Sequence, residues 1–306
     1  MRGYLLSRLR HMVPVVLGVV TVVFLLIHLI PGDPVEIMLG ESALAAQKEE
    51  LRRELHLDRP VVIQYGEFLL GLAKGDLGTS FRSREPVLRE ILRRVPATFL
   101  LSAASILVAL LVAVPLGVLS ALRQHSLLDH LSGFLAMLGL SMPNFWLGPL
   151  LILIFSLELG LFPVSGYGTA GHLVLPAVTM GTGMAAILMR MLRSSLLEEI
   201  RQDYVRAACA RGLSRRAAVV RHALANSLIP VLTVMGLQFG ALLSGSIITE
   251  TIFSWPGIGR LTIQAIEARD YPLVQGCILF IAICTVIVNL LTDLLYSRLD
   301  PRIRYE

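Results

Sequence analysis

The chain has 306 residues, of which 55% are hydrophobic and 16% are charged, and its mean hydropathy is +0.72. This composition is too apolar for an average water-soluble domain and predicts an integral membrane protein. The net charge of +5 is small and is explained by the preference of cytoplasmic loops for Lys and Arg, so nucleic acid is not an expected partner.

Neither lysine of the chain belongs to a phosphate-binding loop. Lys48 and Lys74 follow no glycine-rich run and precede no Ser or Thr. A Walker A loop needs Gly-Lys-Ser/Thr to hold phosphates. If nucleotide energy drives this protein, we expect another subunit to bind the nucleotide.

Residues 1–30 predict a cytoplasmic N-terminal end and a first membrane span. Arg2, Arg8 and Arg10 precede the apolar run 13–30. This run is near the minimum of about 18 to 20 residues for crossing the hydrocarbon. No Ala-x-Ala-like cleavage site follows, so we interpret the segment as an uncleaved span.

Residues 31–96 form a hydrophilic region with ten basic and eleven acidic residues. Apolar periodicity predicts short helices at 42–56, 60–73 and 86–94. Charge in a loop longer than about 60 residues has little influence on orientation, so we expect a small helical domain outside the cytoplasm. Contact with a soluble binding protein and a structural cap on the spans both fit this domain.

The second span is predicted at 98–122, and a short polar loop with His125, Asp129 and His130 leads into the third span. We interpret the two histidines as solvated. Two histidines at this spacing on a wet loop do not favour a metal site, and no metal ligands are predicted in the chain.

The third span, at 131–157, contains the run Ser-Met-Pro-Asn-Phe-Trp that begins at Ser141. Pro143 removes a backbone hydrogen bond and is predicted to kink the helix. Asn144 places a polar side chain at mid-membrane depth, where it should face other helices or a pathway. We predict a pathway role for Asn144.

The fourth and fifth spans are predicted at 174–191 and 227–249. In the fifth span small residues recur every four positions, so one side of the helix has almost no side-chain bulk. Tight helix packing, a permeation surface and a sliding contact all fit this pattern. The further candidate pathway residues are Gln238, Gly240, Ser244 and Glu250.

Residues 250–270 predict an outer segment, with Trp255 in the interfacial belt and a short amphipathic helix after Pro256. The sixth span follows at 273–295. Six spans with both termini in the cytoplasm place fifteen of the 27 Lys and Arg residues inside. Topology and charge therefore agree.

The stretch 196–230 joins the fourth and fifth spans and is strongly basic. Between Arg190 and Arg221 there are eight arginines and three acids. Two helices are predicted, because Gly212 can adopt the left-handed conformation that ends a helix and Ser214 can cap the next one. A plain connector, a DNA-binding helix-turn-helix and a docking surface for a cytoplasmic partner are the possible interpretations; spans on both sides argue against reaching a major groove.

The run Arg206-Ala207-Ala208, followed by Gly212 and Leu228-Ile229-Pro230, resembles the EAA loop of permease subunits of ATP-binding-cassette importers. That loop has the signature Glu-Ala-Ala, three residues, Gly and a later Leu-Pro. Arg206 stands where the pattern has Glu. A non-acidic residue is common at this position in the peptide and nickel branch of the family. Segments at 31–34, 75–80, 253–260 and 269–272 are also similar to dipeptide, oligopeptide and nickel permeases.

The resemblance implies an all-α membrane protein with six transmembrane helices and the type I importer permease fold. It implies an extracytoplasmic helical domain at 31–96 and a permease core at 97–306. The expected partners are a second related permease, two ATPases that hold ATP and Mg, a solute-binding protein and the bilayer of a bacterial inner membrane. This chain itself is expected to be no enzyme and to bind no cofactor. Together with the predicted order of helix, glycine turn and helix, the resemblance implies that nine residues couple the permease to the ATPase: Tyr204, Arg206, Ala207, Ala208, Arg211, Gly212, Leu213, His222 and Pro230.

Dipeptides or short oligopeptides are the first expectation for the substrate, because the spans contain no cluster of His or Cys for a bare metal ion. A nickel or metal-chelate importer is the alternative. An ion-coupled secondary transporter is an alternative of another class, but His28, Glu250 and Asp293 lie near span ends rather than at mid-membrane. An intramembrane enzyme is not favoured, because His-Glu-x-x-His and Gly-x-Ser-x-Gly do not occur.

Overall fold

The computed structural model describes residues 2–29, 35, 44–54, 58–243 and 247–299. Within these ranges the regular secondary structure is helical, apart from one isolated bridge between Thr79 and Pro86. The predicted all-α class is confirmed. The helices in chain order are α1 (Arg2–Leu29), α2 (Ala45–Glu54), α3 (Val61–Ala73), α4 (Val87–Leu122), α5 (Leu127–Ser141), α6 (Asn144–Leu151), α7 (Ala170–Ile200), α8 (Asp203–Ala210), α9 (Arg215–Ala218), α10 (Leu224–Leu243), α11 (Ile247–Ile252), α12 (Ile258–Glu267) and α13 (Tyr271–Leu299).

Two segments of π-helix continue or connect these elements. Ile152–Glu158 continues α6, and Val219–Ala223 connects α9 to α10. A π-turn inserts an extra residue into a helix and is frequent at functional sites. The second π-segment lies inside the basic stretch 196–230.

Among the described residues, four helices are long and apolar enough to cross a membrane: Val87–Leu122, Ala170–Ile200, Arg215–Leu243 and Tyr271–Thr292. A fifth crossing follows if Leu127–Ser141 and Asn144–Glu158 form one broken span. The described part of α1 adds a shorter apolar stretch, Met12–Leu25. The chain is a multi-pass membrane protein, and a count of six spans stays a prediction.

The kink predicted at Pro143 is confirmed as a complete break, with 104° between the two arms. Pro143 has an extended backbone and its carbonyl accepts hydrogen bonds from the N–H groups of Trp146 and Leu147, both at 3.0 Å. Proline disfavours helical backbone at the preceding residue. Met142 is accordingly extended, so α5 ends there and α6 begins afresh at Asn144.

Two helix boundaries differ from the sequence prediction. The separate helix predicted at 86–94 is instead the start of α4, which continues through Pro96. An interior proline removes only one backbone hydrogen bond, and the buried face of Val87 and Ile91 is already established before it. The helix that contains the predicted fourth span is longer than that span, because α7 continues to Ile200.

One compact unit of the chain consists of Met1–Pro96 and Gly257–Cys284. In it α3 packs against α1, with the ring centroid of Phe24 5.1 Å from that of Tyr65 and 5.6 Å from that of Phe68. The first turns of α4 pack against α12 and α13 in a second apolar cluster, formed by Val87, Ile91, Leu261, Ala265, Leu273 and Cys277.

The other compact unit consists of Ala97–Pro256 and Thr285–Glu306. Small residues let its helices approach closely. A Cβ atom on Gly181 would lie 2.8 Å from the carbonyl oxygen of Ser105, and one on Gly236 would lie 2.6 Å from Oγ1 of Thr292. The central cluster is formed by Ala109, Ala113, Ala136, Met184, Ala185, Ala186, Leu188, Met189, Leu192 and Val231.

Candidate functional site

The basic stretch 196–230 folds as the predicted helix, glycine turn and helix. α8 ends in a Schellman motif, in which the N–H of Leu213 donates to the carbonyl of Ala208 (3.3 Å) and the N–H of Gly212 donates to that of Cys209 (3.0 Å). Gly212 has φ +95°, which L side chains rarely adopt. Ser214 accepts a hydrogen bond from the N–H of Ala217 and caps α9. The predicted turn chemistry is confirmed.

α8 packs against the ends of α4 and α7 through an apolar cluster, which we call the foot cluster. Val205 and Ala208 are its α8 members, and both are buried. Ala207 is exposed and Tyr204 is 37% exposed. The inward face therefore follows the spacing of Val205, Ala208 and Cys209. The buried members of the foot cluster are Ala121, Leu196, Val205, Ala208, Ala218, Val219 and Ala223, with Leu213 packed against them.

Tyr204 joins α8 to the helices on either side of it. Its hydroxyl donates a hydrogen bond to the carboxylate of Glu199 on α7. The same oxygen accepts a hydrogen bond from Nδ2 of Asn226 on α10 at 3.1 Å. Partial burial, and then the hydrogen bond to the Glu199 carboxylate, raise the pKa of Tyr204. The phenol therefore holds its proton and keeps both hydrogen bonds at neutral pH.

The outward face of the stretch is cationic. Arg206 forms an exposed ion pair with Asp203 (3.4 Å), an arrangement that contributes less than about 1 kcal/mol to folding. Nε of Arg211 donates to the carbonyl of Ala207 at 3.4 Å. Because these contacts are weak, the guanidinium groups are available to an acidic partner. The exposed arginines are Arg201, Arg206, Arg211, Arg215, Arg216 and Arg221.

Two other predicted coupling residues lie away from α8. His222 is half-buried in the π-segment Val219–Ala223, between the buried residues Val219 and Ala223. Pro230 is half-buried inside α10. The structure therefore groups seven of the nine predicted residues around the glycine turn and places His222 and Pro230 on the helix that leaves it.

A partly buried ion pair lies beside the foot cluster. Nε and Nη2 of Arg193 on α7 each lie 2.7 Å from a carboxylate oxygen of Asp129 on α5. Asp129 also accepts hydrogen bonds from the hydroxyl of Ser120 on α4 and from the N–H of His125. This four-donor arrangement, which we call the clamp, joins three helices. The Asp129 side chain is 7% exposed.

The structure places the candidate pathway residues in different environments. Asn144 is half-buried at the first position of α6, directly after the break at Pro143. Gln238 is half-buried on α10. Gly240 is buried, and a Cβ atom there would lie 3.2 Å from Cγ1 of Val288, so this glycine serves close helix packing. Ser244 lies outside the described residues.

Glu250 is buried on α11, and Oγ1 of Thr98 donates to its carboxylate at 3.1 Å. Its carbonyl accepts the N–H of Trp255 at 2.8 Å. Trp255 was predicted in the interfacial belt, but it is 1% exposed and its Nε1 donates to the carbonyl of Ala97 at 2.8 Å. A buried indole needs such a partner for its N–H. Glu250 thus lies in a packed, hydrogen-bonded corner of its unit.

Two of the segments that resemble peptide and nickel permeases, 75–80 and 269–272, contact each other. Both belong to the unit formed by Met1–Pro96 and Gly257–Cys284. Asp270 is buried and accepts hydrogen bonds from the hydroxyl of Ser80 and from the N–H groups of Phe81 (3.1 Å) and Arg82 (3.2 Å). The N–H of Leu273 also donates to it at 3.3 Å. This carboxylate therefore fixes the loop that follows the Gly-Asp-Leu-Gly run at Gly75 onto the start of α13.

Comparison with known proteins matches residues 113–305 to the family "Binding-protein-dependent transport system inner membrane component". Residues 1–102 match the N-terminal region of the same kind of membrane component. The chain belongs to this permease family. The dipeptide transport system permease protein DppB of Escherichia coli K12 is 42% identical to it over 338 residues, with all of both chains covered.

Other permeases are equally similar. The glutathione transport system permease protein GsiC of Pectobacterium atrosepticum is 43% identical over 306 residues, and the di/tripeptide permease protein of Pseudomonas aeruginosa is 44% identical over 335 residues, each with full coverage of both chains. A solved inward-facing structure of the MetNI methionine ABC transporter covers 71% of this permease and 99% of its own chain, with a TM-score of 0.58 and 19% identity. That likeness concerns the fold alone.

Sequence reasoning missed three features of the permease site: the clamp between Asp129 and Arg193, the Asn226 contact to Tyr204, and the inward role of Val205. Arg193 did offer a signal, because an arginine that continues an apolar helix needs a counter-ion. The partner of Tyr204 offered none, since 22 residues separate it from Asn226.

Proposed function

We propose that this permease subunit serves an ATP-driven importer of dipeptides or short oligopeptides. The full-length relatives named above are described as dipeptide, di/tripeptide and glutathione permeases, and all three substrates are peptides. Identities of 42–44% over whole chains favour a shared substrate chemistry over a nickel chelate.

The observation that supports this function best is the α8 segment. Its inner face is locked by the foot cluster and the Schellman motif, and its outer face presents exposed arginines. Such a short rigid helix suits a groove in a cytoplasmic ATPase whose rim is acidic, with Ala207 allowing close approach. Closure of two ATPases around ATP and Mg would then move α8, and the foot cluster would pass the movement to α4 and α7.

The remaining assembly follows from the family. A second related permease completes the pathway, and a solute-binding protein delivers peptide from outside. Both termini lie in the cytoplasm of a bacterial cell, and residues 31–96 lie on the opposite face of the inner membrane. Asn144 and Gln238 are the pathway candidates that we retain, because each is polar, half-buried and on an apolar helix. Gly240 and Glu250 are buried, and their pathway role, like that of Ser244, stays a prediction.

The function is tested by uptake of a radiolabelled dipeptide in cells that lack this permease gene and in cells that have it restored. We expect uptake of dialanine to require the gene, while uptake of free alanine does not. Radioactive nickel in parallel cultures distinguishes the nickel alternative. Dialanine uptake that is unchanged by deletion, or transport by this chain alone in liposomes without an ATPase, would contradict the proposal.

A further inference from the structure

A cavity of about 470 Å³ opens beside the clamp, between the start of α5 and the later part of α7. Its polar lining consists of His125, Asp129, His130, Arg190 and Arg193. Its remaining lining consists of Gly133, Met137 and Met189. The volume is within the range of about 300 to 1,000 Å³ that is usual for small-molecule sites. Neither the coupling segment nor the pathway candidates line this cavity.

The lining has an excess of positive charge. The single acid, Asp129, is already satisfied by Arg193, Ser120 and the N–H of His125. Arg190 forms no ion pair within the part of the chain that the structure describes, and its side chain is exposed. His125 and His130 also line the cavity, and each imidazole can donate an N–H. An anion there would meet one free guanidinium and two imidazoles without displacing the clamp.

The cavity also lies where an apolar surface meets a basic one. Residues 173–189 of α7 contain no Asp, Glu, Lys or Arg, and Arg190 and Arg193 follow directly. On α5, His130 precedes a run of exposed apolar residues that includes Leu131, Phe134 and Met137. In a bilayer this boundary is the depth of the lipid phosphates.

We propose that this cavity binds a phosphate-bearing anion, with the phosphate held by Arg190, His125 and His130. The headgroup of an anionic phospholipid and free phosphate share this chemistry. The apolar residues on one side and the position at the membrane surface suit a lipid whose acyl chains follow α5. The proposal does not depend on which solute the permease transports.

The test measures retained lipid and bound phosphate on the full-length chain, purified with the subunits that accompany it. In nanodiscs of phosphatidylcholine and phosphatidylglycerol, native mass spectrometry counts the phosphatidylglycerol that survives delipidation. In phosphatidylcholine nanodiscs alone, equilibrium dialysis with radioactive inorganic phosphate reports the free anion. The variants are Arg190→Gln and His130→Gln. Arg123→Gln is the matched control, because Arg123 is exposed on the same loop and does not line the cavity.

We expect retained phosphatidylglycerol to fall about fivefold in Arg190→Gln, the usual effect of one basic group near an anionic lipid, and to stay unchanged in Arg123→Gln. Phosphate binding that Arg190→Gln abolishes in the second nanodisc would identify free phosphate as the ligand. An unaltered thermal transition of Arg190→Gln shows that the chain is folded. Equal retention in wild type and Arg190→Gln together with no phosphate binding, or an equal loss in Arg123→Gln, overturns the proposal.

Discussion

Tyr204 connects α8 to α7 and α10 by side-chain hydrogen bonds. Its folded pKa lies above the ordinary tyrosine value of 10.0, since burial disfavours the phenolate. A raised pKa means that the folded state binds this proton more tightly than the unfolded state does. The stabilisation is therefore fully present below pH 10 and is lost as the pH rises through the folded pKa. Tyr204 stays protonated in the neutral pH range, so coupling of the permease to the ATPase should not depend on its ionisation there.

Tyr204→Phe removes both hydrogen bonds but keeps the ring. Each is worth about 1 kcal/mol net, so we expect the α8 segment to open more easily by about 2 kcal/mol. Uptake should fall severalfold, and protease should cleave residues 196–230 faster in inside-out vesicles. Tyr167→Phe is the control, because the Tyr167 ring contact with Trp255 (4.9 Å between centroids) does not need the hydroxyl. Equal protease sensitivity in the two variants would refute the role of Tyr204.

Gly212→Ala should impair dipeptide uptake less than Gly212→Pro does. A Cβ atom at Gly212 has no neighbour within 4 Å, so alanine meets only the left-handed backbone strain of about 1 to 2 kcal/mol. Proline cannot adopt φ +95° and also loses the hydrogen bond to Cys209, so it should abolish dipeptide uptake. Gly66→Ala, on helical backbone with open space, should have no effect. Uptake at matched membrane levels decides, and normal transport by Gly212→Pro would remove α8 from the coupling role.

Local chemistry and tertiary contact explain which residues could be predicted. Gly212 and Ser214 act on backbone within four residues, so their types alone predicted the turn. The predicted interfacial location of Trp255 was wrong, because an amphipathic ring suits a membrane interface as well as a buried site. The carbonyl of Ala97, which accepts the indole N–H in the buried site, lies 158 residues away in the sequence. The clamp was not predicted, because the short polar sequence around Asp129 does not reveal Arg193, which pairs with it across 64 residues.

Among the helices, α4, α5 and α7 are joined by the clamp at the end that contacts the foot cluster. Ser120 of the clamp is next to Ala121 of the cluster, and Arg193 is three residues before Leu196. The three helices should therefore move together when α8 is pushed. The existence of each helix could be predicted from hydropathy, but this joint could not, because it depends on packing between helices.

Replacing one partner of the clamp should destabilise the protein more than replacing both partners. Asp129→Asn or Arg193→Gln alone leaves a partly buried group without its partner, whereas the double variant leaves two neutral groups that can still bond. We expect each single variant to lower the melting temperature of the detergent-purified chain by several degrees and the double variant to recover at least half of that loss. Additive losses in the double variant would show that the pair does not act as a unit.

For the whole molecule, the proposed topology places the loop after Ser80 outside and the α9 turn inside. In a background with Cys209→Ala, Cys277→Ala and Cys284→Ala, an impermeant maleimide added to intact cells should label Arg84→Cys. It should label Arg216→Cys only after the membrane is permeabilised. Both positions are exposed, so access to the reagent, not burial, decides the result. Labelling of Arg216→Cys in intact cells would invert the topology.

The carboxylate of Asp270 also has a consequence for biosynthesis. Its hydrogen bond to Ser80 joins residues that are 190 positions apart. At a synthesis rate of about 5 to 20 residues per second, the ribosome needs about 10 to 40 seconds to travel from one to the other. Until then only water can accept hydrogen bonds from these donors, so we expect the loop after Gly78 to reach its native conformation only after Asp270 has been synthesised.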